Sequence, residues 1–198
     1  MLAVIMAGGT GSRLNSGEKP LILVRGRPMI SYVVDAFVAS DCEPLIVTTP
    51  KTPMTQNWCR AQGYEIYKAS GEGYIEDMVS AVLDSGEKKP LFVSVSDIPC
   101  ITPGIIRTVR NAYILSRKDA CSVWIRIDGY KSDPESMPYH EVVNGVVAAP
   151  SGLNILRGDN ILKEQDEIRI LIRESQCLVN VNTPADRDRA ENALKTPK

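Results

Sequence analysis

Short apolar runs alternate with amphipathic segments along the whole chain. Residues 2–6 and 90–95 are largely apolar runs of strand length, which is typical of strands buried on both faces. Residues 28–40 place apolar side chains at helical spacing and begin with a proline, which favours the first turn of a helix. The pattern predicts strands at 2–6, 45–48, 64–69, 90–95, 121–127, 142–149, 152–156 and 177–181, and helices at 28–40, 53–63, 75–83, 102–116 and 184–194.

Three segments are less regular. Residues 128–139 are polar and contain proline, which predicts a loop. Pro150 and Ser151 predict a turn between two strands. Residues 158–174 begin with a helical pattern that becomes ambiguous after residue 167.

The alternation of strands and helices predicts an α/β fold with a largely parallel sheet. We find no internal repeat, low-complexity tract or linker, so we expect a single domain over residues 1–198. In such sheets ligands bind beyond the carboxyl ends of the strands. Function should therefore be sought at residues 7–13, 69–73, 97, 150–152 and 182.

The composition argues against several classes of protein. The 198 residues carry a formal net charge of −1, so we expect no broad surface for nucleic acid. No apolar stretch approaches the ~18 residues of a membrane helix, so we expect no membrane span. The first apolar run, residues 2–7, is short and follows no basic region, which argues against a signal peptide. These observations predict a cytoplasmic protein.

The cysteines and the histidine do not indicate a metal centre. The five cysteines are odd in number and widely spaced, and no C-x-x-C occurs, which argues against a disulfide framework and a zinc site. We expect buried, reduced cysteines. His140 is the single histidine, which gives little support to a histidine-based mechanism.

A glycine-rich loop follows the first predicted strand. Gly8, Gly9 and Gly11 allow a sharp turn, and the backbone N–H groups of such a loop bind anions. Arg13 adds a charged group suited to phosphate oxygens. A glycine-rich connection without a ligand is the alternative.

The spacing argues against the two commonest phosphate loops. A dinucleotide-binding G-x-G-x-x-G would need a glycine where Leu14 stands. A P-loop needs glycine before its lysine and serine or threonine after it, whereas Lys19 is followed by Pro20.

A third pattern fits better. The segments MAGGTGSRL (residues 6–14), EKPL (18–21) and GRPMI (26–30) resemble, in order, the signature of the MobA-like nucleotidyltransferase family. The resemblance implies a three-layer, Rossmann-like nucleotidyltransferase fold and a loop that wraps a nucleoside triphosphate. It implies catalytic roles for Arg13, Lys19 and Asp97, and nucleotide binding by Ala7, Gly8, Gly9, Thr10, Gly11, Ser12, Arg13, Lys19, Ser70, Gly71, Gly73 and Asp97.

The resemblance also implies a metal site. Asp97 ends a buried strand in a D-x-P context where the family places a Mg²⁺ ligand, and Asn182 lies in a closing N-x-N-T-P-x-D segment. The alternatives are a turn aspartate at position 97 and a helix start at Thr183 and Pro184.

Two further segments concern the substrates. In the family, residues 70–77 lie near the nucleobase, where Glu76 or Asp77 could contact guanine, although acids in the first turn of a helix are common. By the same resemblance, Ser151, Gly152 and Asn154 would shape the acceptor site.

Residues 18–22, 70–77 and 150–155 resemble the archaeal branch of the family that transfers GMP from GTP to a corrinoid phosphate, adenosylcobinamide phosphate. The resemblance implies GTP and a corrinoid phosphate as partners, Mg²⁺ held by Asp97 and Asn182, and a homodimer as the family expectation. A molybdopterin guanylyltransferase and a non-catalytic nucleotide-binding regulator are the alternatives.

Overall fold

The computed structural model describes residues 1–11, 17–127, 139–172 and 180–195. Its strands are β1 Leu2–Met6, β2 Leu23–Val24, β3 Arg27–Pro28, β4 Glu43–Thr48, β5 Glu65–Lys68, β6 Pro90–Val95, β7 Ala120–Arg126, β8 Glu141–Val143, β9 Val146–Arg157 and β10 Glu167–Ile172. Its helices are α1 Met29–Val38, α2 Pro53–Ala61, α3 Tyr74–Ser85, α4 Pro103–Ser116 and α5 Pro184–Ala193.

One eight-stranded sheet organises the molecule. Its strand order is β10-β7-β9-β6-β1-β4-β5, and β8 pairs with the first part of β9. Strands β6, β1, β4 and β5 pair in parallel, and so do β7 and β10. Within this described sheet, β9 alone runs antiparallel to its neighbours β6, β7 and β8. The predicted largely parallel sheet is therefore confirmed.

Helices cover both faces of this sheet, as the alternating side chains of β1 show. Ala3 and Ile5 face a core that includes residues of α1 and α4. Val4 and Met6 face a second core that includes residues of α3. Because apolar side chains leave β1 in both directions, the strand reads as a continuous apolar run. The arrangement confirms the predicted α/β layers.

Most of the predicted elements are confirmed. Strand β6 has its predicted bounds, and the five helices begin within one residue of their predicted starts. Prolines precede or occupy the first turn of α1, α2, α4 and α5, where the missing N–H group costs no intrahelical hydrogen bond.

The predicted turn at Pro150 and Ser151 is wrong, because both residues lie inside β9. The chain reverses earlier, at Asn144 and Gly145, where φ is 51° and 78°. Asn-Gly is a pair that favours such a hairpin turn. Pro150 fits within β9 because it pairs with Trp124 beside a shift in register, where the hydrogen-bond ladder is interrupted.

The predicted helical start at residue 158 is also wrong. A single 3₁₀ turn spans Gly158–Asn160, and β10 then runs along one edge of the sheet. The charged and apolar residues at the start of β10 alternate, which is typical of a half-buried strand. Residues 128–138 and 177–179 lie outside the described residues, and residues 180 and 181 are not in a strand.

Cys42, Cys59, Cys100 and Cys121 are buried, as expected, and Cys177 lies outside the described residues. Burial raises the pKa of the Cys59 and Cys121 thiols to about 12, so both are protonated at neutral pH. Among the described helices, none has the length and apolar character needed to cross a bilayer.

A substitution at Gly158 tests how tightly the end of β9 packs against the segment before β6. A Cβ atom at this position would lie 1.9 Å from the carbonyl oxygen of Glu87. Because backbone must move to make room, we expect Gly158→Ala to lower the free energy of unfolding by about 1–3 kcal/mol. Chemical denaturation measures the change.

Gly104 provides the matched control. A Cβ there would meet no described atom closer than the Thr102 Oγ1, at 3.6 Å, and alanine favours the helix. Gly104→Ala should leave the stability unchanged or raise it. Equal effects of the two substitutions would contradict the packing argument.

Candidate active site

A cavity of about 300 Å³ lies at the carboxyl ends of β1, β4 and β6. This is the edge of the sheet where parallel α/β folds bind ligands. The ends of these strands, the segments that follow them and the start of α3 line the cavity: Met6, Gly8, Gly9, Lys19, Val47, Thr49, Lys51, Gly71, Gly73, Tyr74, Asp77, Val95, Ser96 and Asp97.

The glycine loop approaches its neighbours too closely for larger residues. A Cβ at Gly8 would lie 2.6 Å from the Thr49 side chain, and a Cβ at Gly11 would lie 2.8 Å from the carbonyl oxygen of Gly17. Gly11 also has a φ of 63°, which glycine adopts without strain. Glycine at these two positions therefore lets the loop backbone pass close to Thr49 and to Gly17.

Not every residue predicted for this loop reaches the cavity. Gly8 and Gly9 line it, whereas Ala7 is buried beneath it and hydrogen-bonds through its N–H to Val47. Thr10 is exposed and Gly11 half-buried, and neither is a lining residue. Ser12 and Arg13 lie outside the described residues, so their phosphate contacts stay a prediction.

Lys19, Asp97 and Asn182 come together from distant parts of the chain. The Lys19 Nζ donates to Asp97 Oδ2 and to Asn182 Oδ1, the latter at 2.6 Å. Asp97 is only 7% exposed at the end of β6, and Lys19 begins a short 3₁₀ turn after the glycine loop. The structure thus places one ammonium group between the two predicted metal ligands.

Asn180, to which the sequence assigned no role, fixes the other oxygen of this carboxylate. Its Nδ2 donates to Asp97 Oδ1 at 3.0 Å, and the Asp97 carbonyl accepts from the N–H of Val181 at 2.9 Å. The segment before α5 is therefore hydrogen-bonded to the end of β6. A carboxylate held on both oxygens has a fixed orientation.

Asn182 is held by the start of α5. The Oδ2 of Asp186 accepts from the N–H of Asn182 at 3.1 Å and from the N–H of Thr183 at 2.9 Å. The Thr183 Oγ1 in turn accepts from the N–H of Asp186 at 3.2 Å, which completes a capping box. Thr183 is the helix cap that the sequence offered as an alternative, and the same cap positions Asn182.

The oxygens of Asp97 and Asn182 fit a magnesium ion. Both converge on one cation, the Lys19 ammonium. Carboxylate and amide oxygens are ligands that Mg²⁺ accepts, and it takes its remaining ligands from water and phosphate. A metal at this place would lie beside the cavity that Lys19 and Asp97 line.

The loop before α3 forms another wall of the cavity. Gly71 and Gly73 line it, whereas Ser70 is exposed. Asp77, 5% exposed in the first turn of α3, accepts from the N–H of Gly71 at 2.9 Å through Oδ1. Gly71 has a φ of 83°, so the carboxylate stabilises a turn that favours glycine. Asp77 both shapes this loop and lines the cavity.

Among the lining residues with polar side chains, the sequence assigned no individual role to Thr49, Lys51, Tyr74 and Ser96. Lys51 and Thr49 follow β4, so the rule that directed attention to strand ends could have found them. Although the Tyr74 residue is 44% exposed, loss of water around its hydroxyl and the charge of Asp97 raise its pKa to about 12. Its hydroxyl is therefore a hydrogen-bond donor at neutral pH.

The residues predicted for the acceptor site lie on β9, beside the end of β6. Gly152, with a φ of 78°, packs on Val95, whose side chain would be 2.6 Å from an added Cβ. Ser151 is fully buried, and its hydroxyl donates to the Val123 carbonyl at 2.9 Å. Asn154 pairs within the sheet and is half-buried. None of the three lines the described cavity, and their acceptor role stays a prediction.

Two solved structures share the fold. The structure of CMP:2-keto-3-deoxy-manno-octonic acid synthetase complexed with CTP aligns with a TM-score of 0.72 and 16% identity, covering 99% of both chains. A hypothetical transferase from Thermus thermophilus aligns with a TM-score of 0.70 and 15% identity, covering 94% of this chain and 98% of that one. The predicted Rossmann-like nucleotidyltransferase fold is confirmed.

Sequence comparisons identify relatives that match nearly end to end. The adenosylcobinamide-phosphate guanylyltransferase of Methanocaldococcus jannaschii is 32% identical over 205 aligned residues, which cover 98% of each chain. A molybdenum cofactor guanylyltransferase of Yersinia pseudotuberculosis is 26% identical, covering 93% of this chain and 92% of its own. The family model for the MobA-like NTP transferase domain matches residues 3–140. The chain therefore belongs to the MobA-like NTP transferase domain family and is a nucleotidyltransferase.

Proposed function

We propose that the protein transfers GMP from GTP to adenosylcobinamide phosphate and releases pyrophosphate. The meeting of Lys19, Asp97 and Asn182 beside the glycine-lined cavity is the observation that carries nucleotidyl transfer. The choice of GTP and of this acceptor is supported by the relative from Methanocaldococcus jannaschii, which matches over 98% of both chains.

Transfer of GMP to the molybdenum cofactor is the second candidate. The relative from Yersinia pseudotuberculosis supports it, at lower identity and slightly lower coverage. Both candidates share the attack on GTP and differ in the acceptor.

The reaction needs alignment and charge neutralisation more than a base. A phosphate monoester has a second pKa near ~6, so the acceptor is largely dianionic at neutral pH. One of its oxygens attacks the α-phosphorus of GTP and forms a new P–O bond. The bond from the α-phosphorus to the bridging oxygen of the β-phosphate breaks, and pyrophosphate leaves with that electron pair. No proton has to be removed from the acceptor.

The residues of the cavity supply positive charge and orientation for this step. Lys19 offers a compact ammonium to the phosphates. The family resemblance assigns a second positive charge to Arg13, which lies outside the described residues. Asp97 and Asn182 would hold Mg²⁺, which when bound neutralises phosphate charge. The close backbone of Gly8 and Gly9 leaves room for the triphosphate at the end of β1.

The cavity also carries groups that suit guanine. Lys51 can donate to the O6 and N7 acceptors of guanine, and Asp77 can accept from N1–H and N2–H₂. Adenine has no N1–H and carries a donor in place of O6. We therefore expect the protein to use GTP in preference to ATP.

The function is tested by incubating the purified protein with Mg²⁺, one of the four nucleoside triphosphates, and either adenosylcobinamide phosphate or molybdopterin. We expect pyrophosphate release with GTP and adenosylcobinamide phosphate, and a product heavier by GMP in mass spectrometry. Transfer to molybdopterin alone would favour the second candidate. Binding of GTP in a thermal-shift assay without transfer to either acceptor would refute both candidates.

Removal of the Lys19 ammonium should reduce turnover. We expect Lys19→Ala to lower kcat by about 10²–10³-fold, the typical loss when one preorganised charged donor is removed from a developing negative charge. Lys163→Ala, which removes an exposed lysine that does not line the cavity, is the control and should keep normal turnover. Steady-state pyrophosphate release measures both, and near-normal turnover of Lys19→Ala would refute its catalytic role.

Glu18 joins two walls of the cavity. Its carboxylate accepts from the N–H groups of Met54 at 2.8 Å and Thr55 at 2.6 Å, in the first turn of α2. The N-cap residue of α2, Thr52, makes no side-chain capping bond, so Glu18 provides this cap from a distant segment. The residue next to Lys19 is thereby fixed to the helix that follows the Thr49–Lys51 loop.

Glu18→Gln should loosen this connection. The neutral amide loses the attraction of a carboxylate to a helix N-terminus, so we expect the unfolding free energy to fall by about 1 kcal/mol. We also expect KM for GTP to rise several-fold, because both walls that face the nucleotide lose their link. Chemical denaturation and steady-state kinetics measure the two effects.

Thr102→Ala is the control that separates the loss of stability from the change in KM. It removes the cap of α4, in which Thr102 Oγ1 accepts from the N–H of Ile105 at 3.3 Å, away from the cavity lining. It should cost a similar stability, about 1 kcal/mol, and leave KM unchanged. Glu18 has no positioning role if the two variants have the same KM.

A further inference from the structure

The Lys19 ammonium lies where the two predicted metal ligands converge. Its Nζ donates to the Asp97 carboxylate and lies 2.6 Å from Asn182 Oδ1. Both oxygens that would hold a metal thus already bind a cation that belongs to the protein. A divalent metal and this ammonium would compete for these oxygens, because two cations at such short distances repel each other.

Both oxygens of the Asp97 carboxylate already have a partner. Oδ2 binds Lys19, and Oδ1 accepts the Asn180 amide at 3.0 Å. Asp97 is also only 7% exposed, so water compensates its charge poorly. Breaking a buried ion pair by removing one partner is strongly destabilising. Lys19 can therefore leave Asp97 only if another cation replaces it.

Lys19 can change partner through its side chain alone. Its N–H donates to the Gly9 carbonyl at 3.1 Å, and its carbonyl accepts from the N–H of Ile22 at 3.2 Å, so both peptide groups are anchored. The side chain itself is flexible and lines the cavity with Gly8 and Gly9. Phosphates bound against these glycines would offer the ammonium a second set of anionic partners.

We propose that Lys19 holds the metal position until a nucleoside triphosphate binds. The phosphates draw the ammonium away from Asp97 and Asn182, and a divalent cation takes its place on these oxygens. Metal affinity of the protein alone is then low because the metal must displace Lys19, and nucleotide binding raises it. This inference rests on the proposed nucleotidyl transfer, since the triphosphate is what releases the lysine.

If the exchange occurs, a variant without the Lys19 ammonium should bind a divalent metal with higher affinity. Mn²⁺ alone is titrated into nucleotide-free protein, and free Mn²⁺ is measured by electron paramagnetic resonance. We expect Lys19→Met to bind Mn²⁺ more tightly than the original protein by about 5- to 150-fold, the range typical of coupled sites. Equal affinities would overturn the proposal.

Two further variants locate the effect. Lys51→Met removes the same charge from another wall of the cavity and should raise Mn²⁺ affinity far less than Lys19→Met. The double variant Lys19→Met/Asp97→Asn should lose the gain, because Asp97 supplies the carboxylate. A similar rise in Lys51→Met, or a gain that survives Asp97→Asn, would refute exchange at this site. Circular dichroism checks that each variant is folded.

The outcome can be separated from that of the proposed function. Mn²⁺ binding to Lys19→Met is measured without GTP or acceptor, whereas guanylyl transfer is measured on the original protein. Transfer without a metal-affinity gain would leave the function supported and the exchange refuted. A gain without transfer to either acceptor would support cation competition at Asp97 and refute the role of this site in guanylyl transfer.

Discussion

A buried carboxylate that must have a cation beside it organises this end of the molecule. Asp97 follows the central strand β6 by two residues and is only 7% exposed, so little water compensates its charge. Two segments are tied to it: the Lys19 turn, and the segment before α5 through the Asn180 side chain and the Val181 N–H. The glycine loop and the start of α5 are thereby connected to the sheet through one side chain. The same requirement for a cation makes Asp97 suited to a metal-assisted phosphoryl reaction.

The pattern of apolar residues and prolines predicted the secondary structure well where the local sequence determines it. β1 is apolar on both faces because both faces meet a core, and α1, α2, α4 and α5 begin at prolines that the sequence displays. The errors arose where pairing between distant strands determines the structure. Pro150 looks like a turn residue, but its place beside a register shift allows β9 to continue. Asn144-Gly145, where both residues have positive φ, is the stronger turn signal in this part of the chain.

The sequence predicted several residues of the candidate site but not the contacts between them. The family signature pointed to Lys19, Asp97 and Asn182, but no sequence spacing indicates that one ammonium bridges the other two. Glu18 belongs to the signature segment and still gave no sign of capping α2, because the partner amides lie 36 and 37 residues away. Nothing in the sequence distinguishes Lys51 from the other lysines, and only the fold shows that it lines the cavity.

The bond between Lys19 and Asn182 joins residues 163 positions apart, across most of the chain. A growing polypeptide can pair β1, β4 and β6 before Asn182 has been synthesised. Asn182 becomes fixed only when Asp186 and the first turn of α5 have left the ribosome. The core of the sheet therefore does not depend on the last helix, whereas the cation-binding centre does. An unfinished or carboxy-terminally shortened chain would keep much of its sheet and lack one of its two cation-binding oxygens.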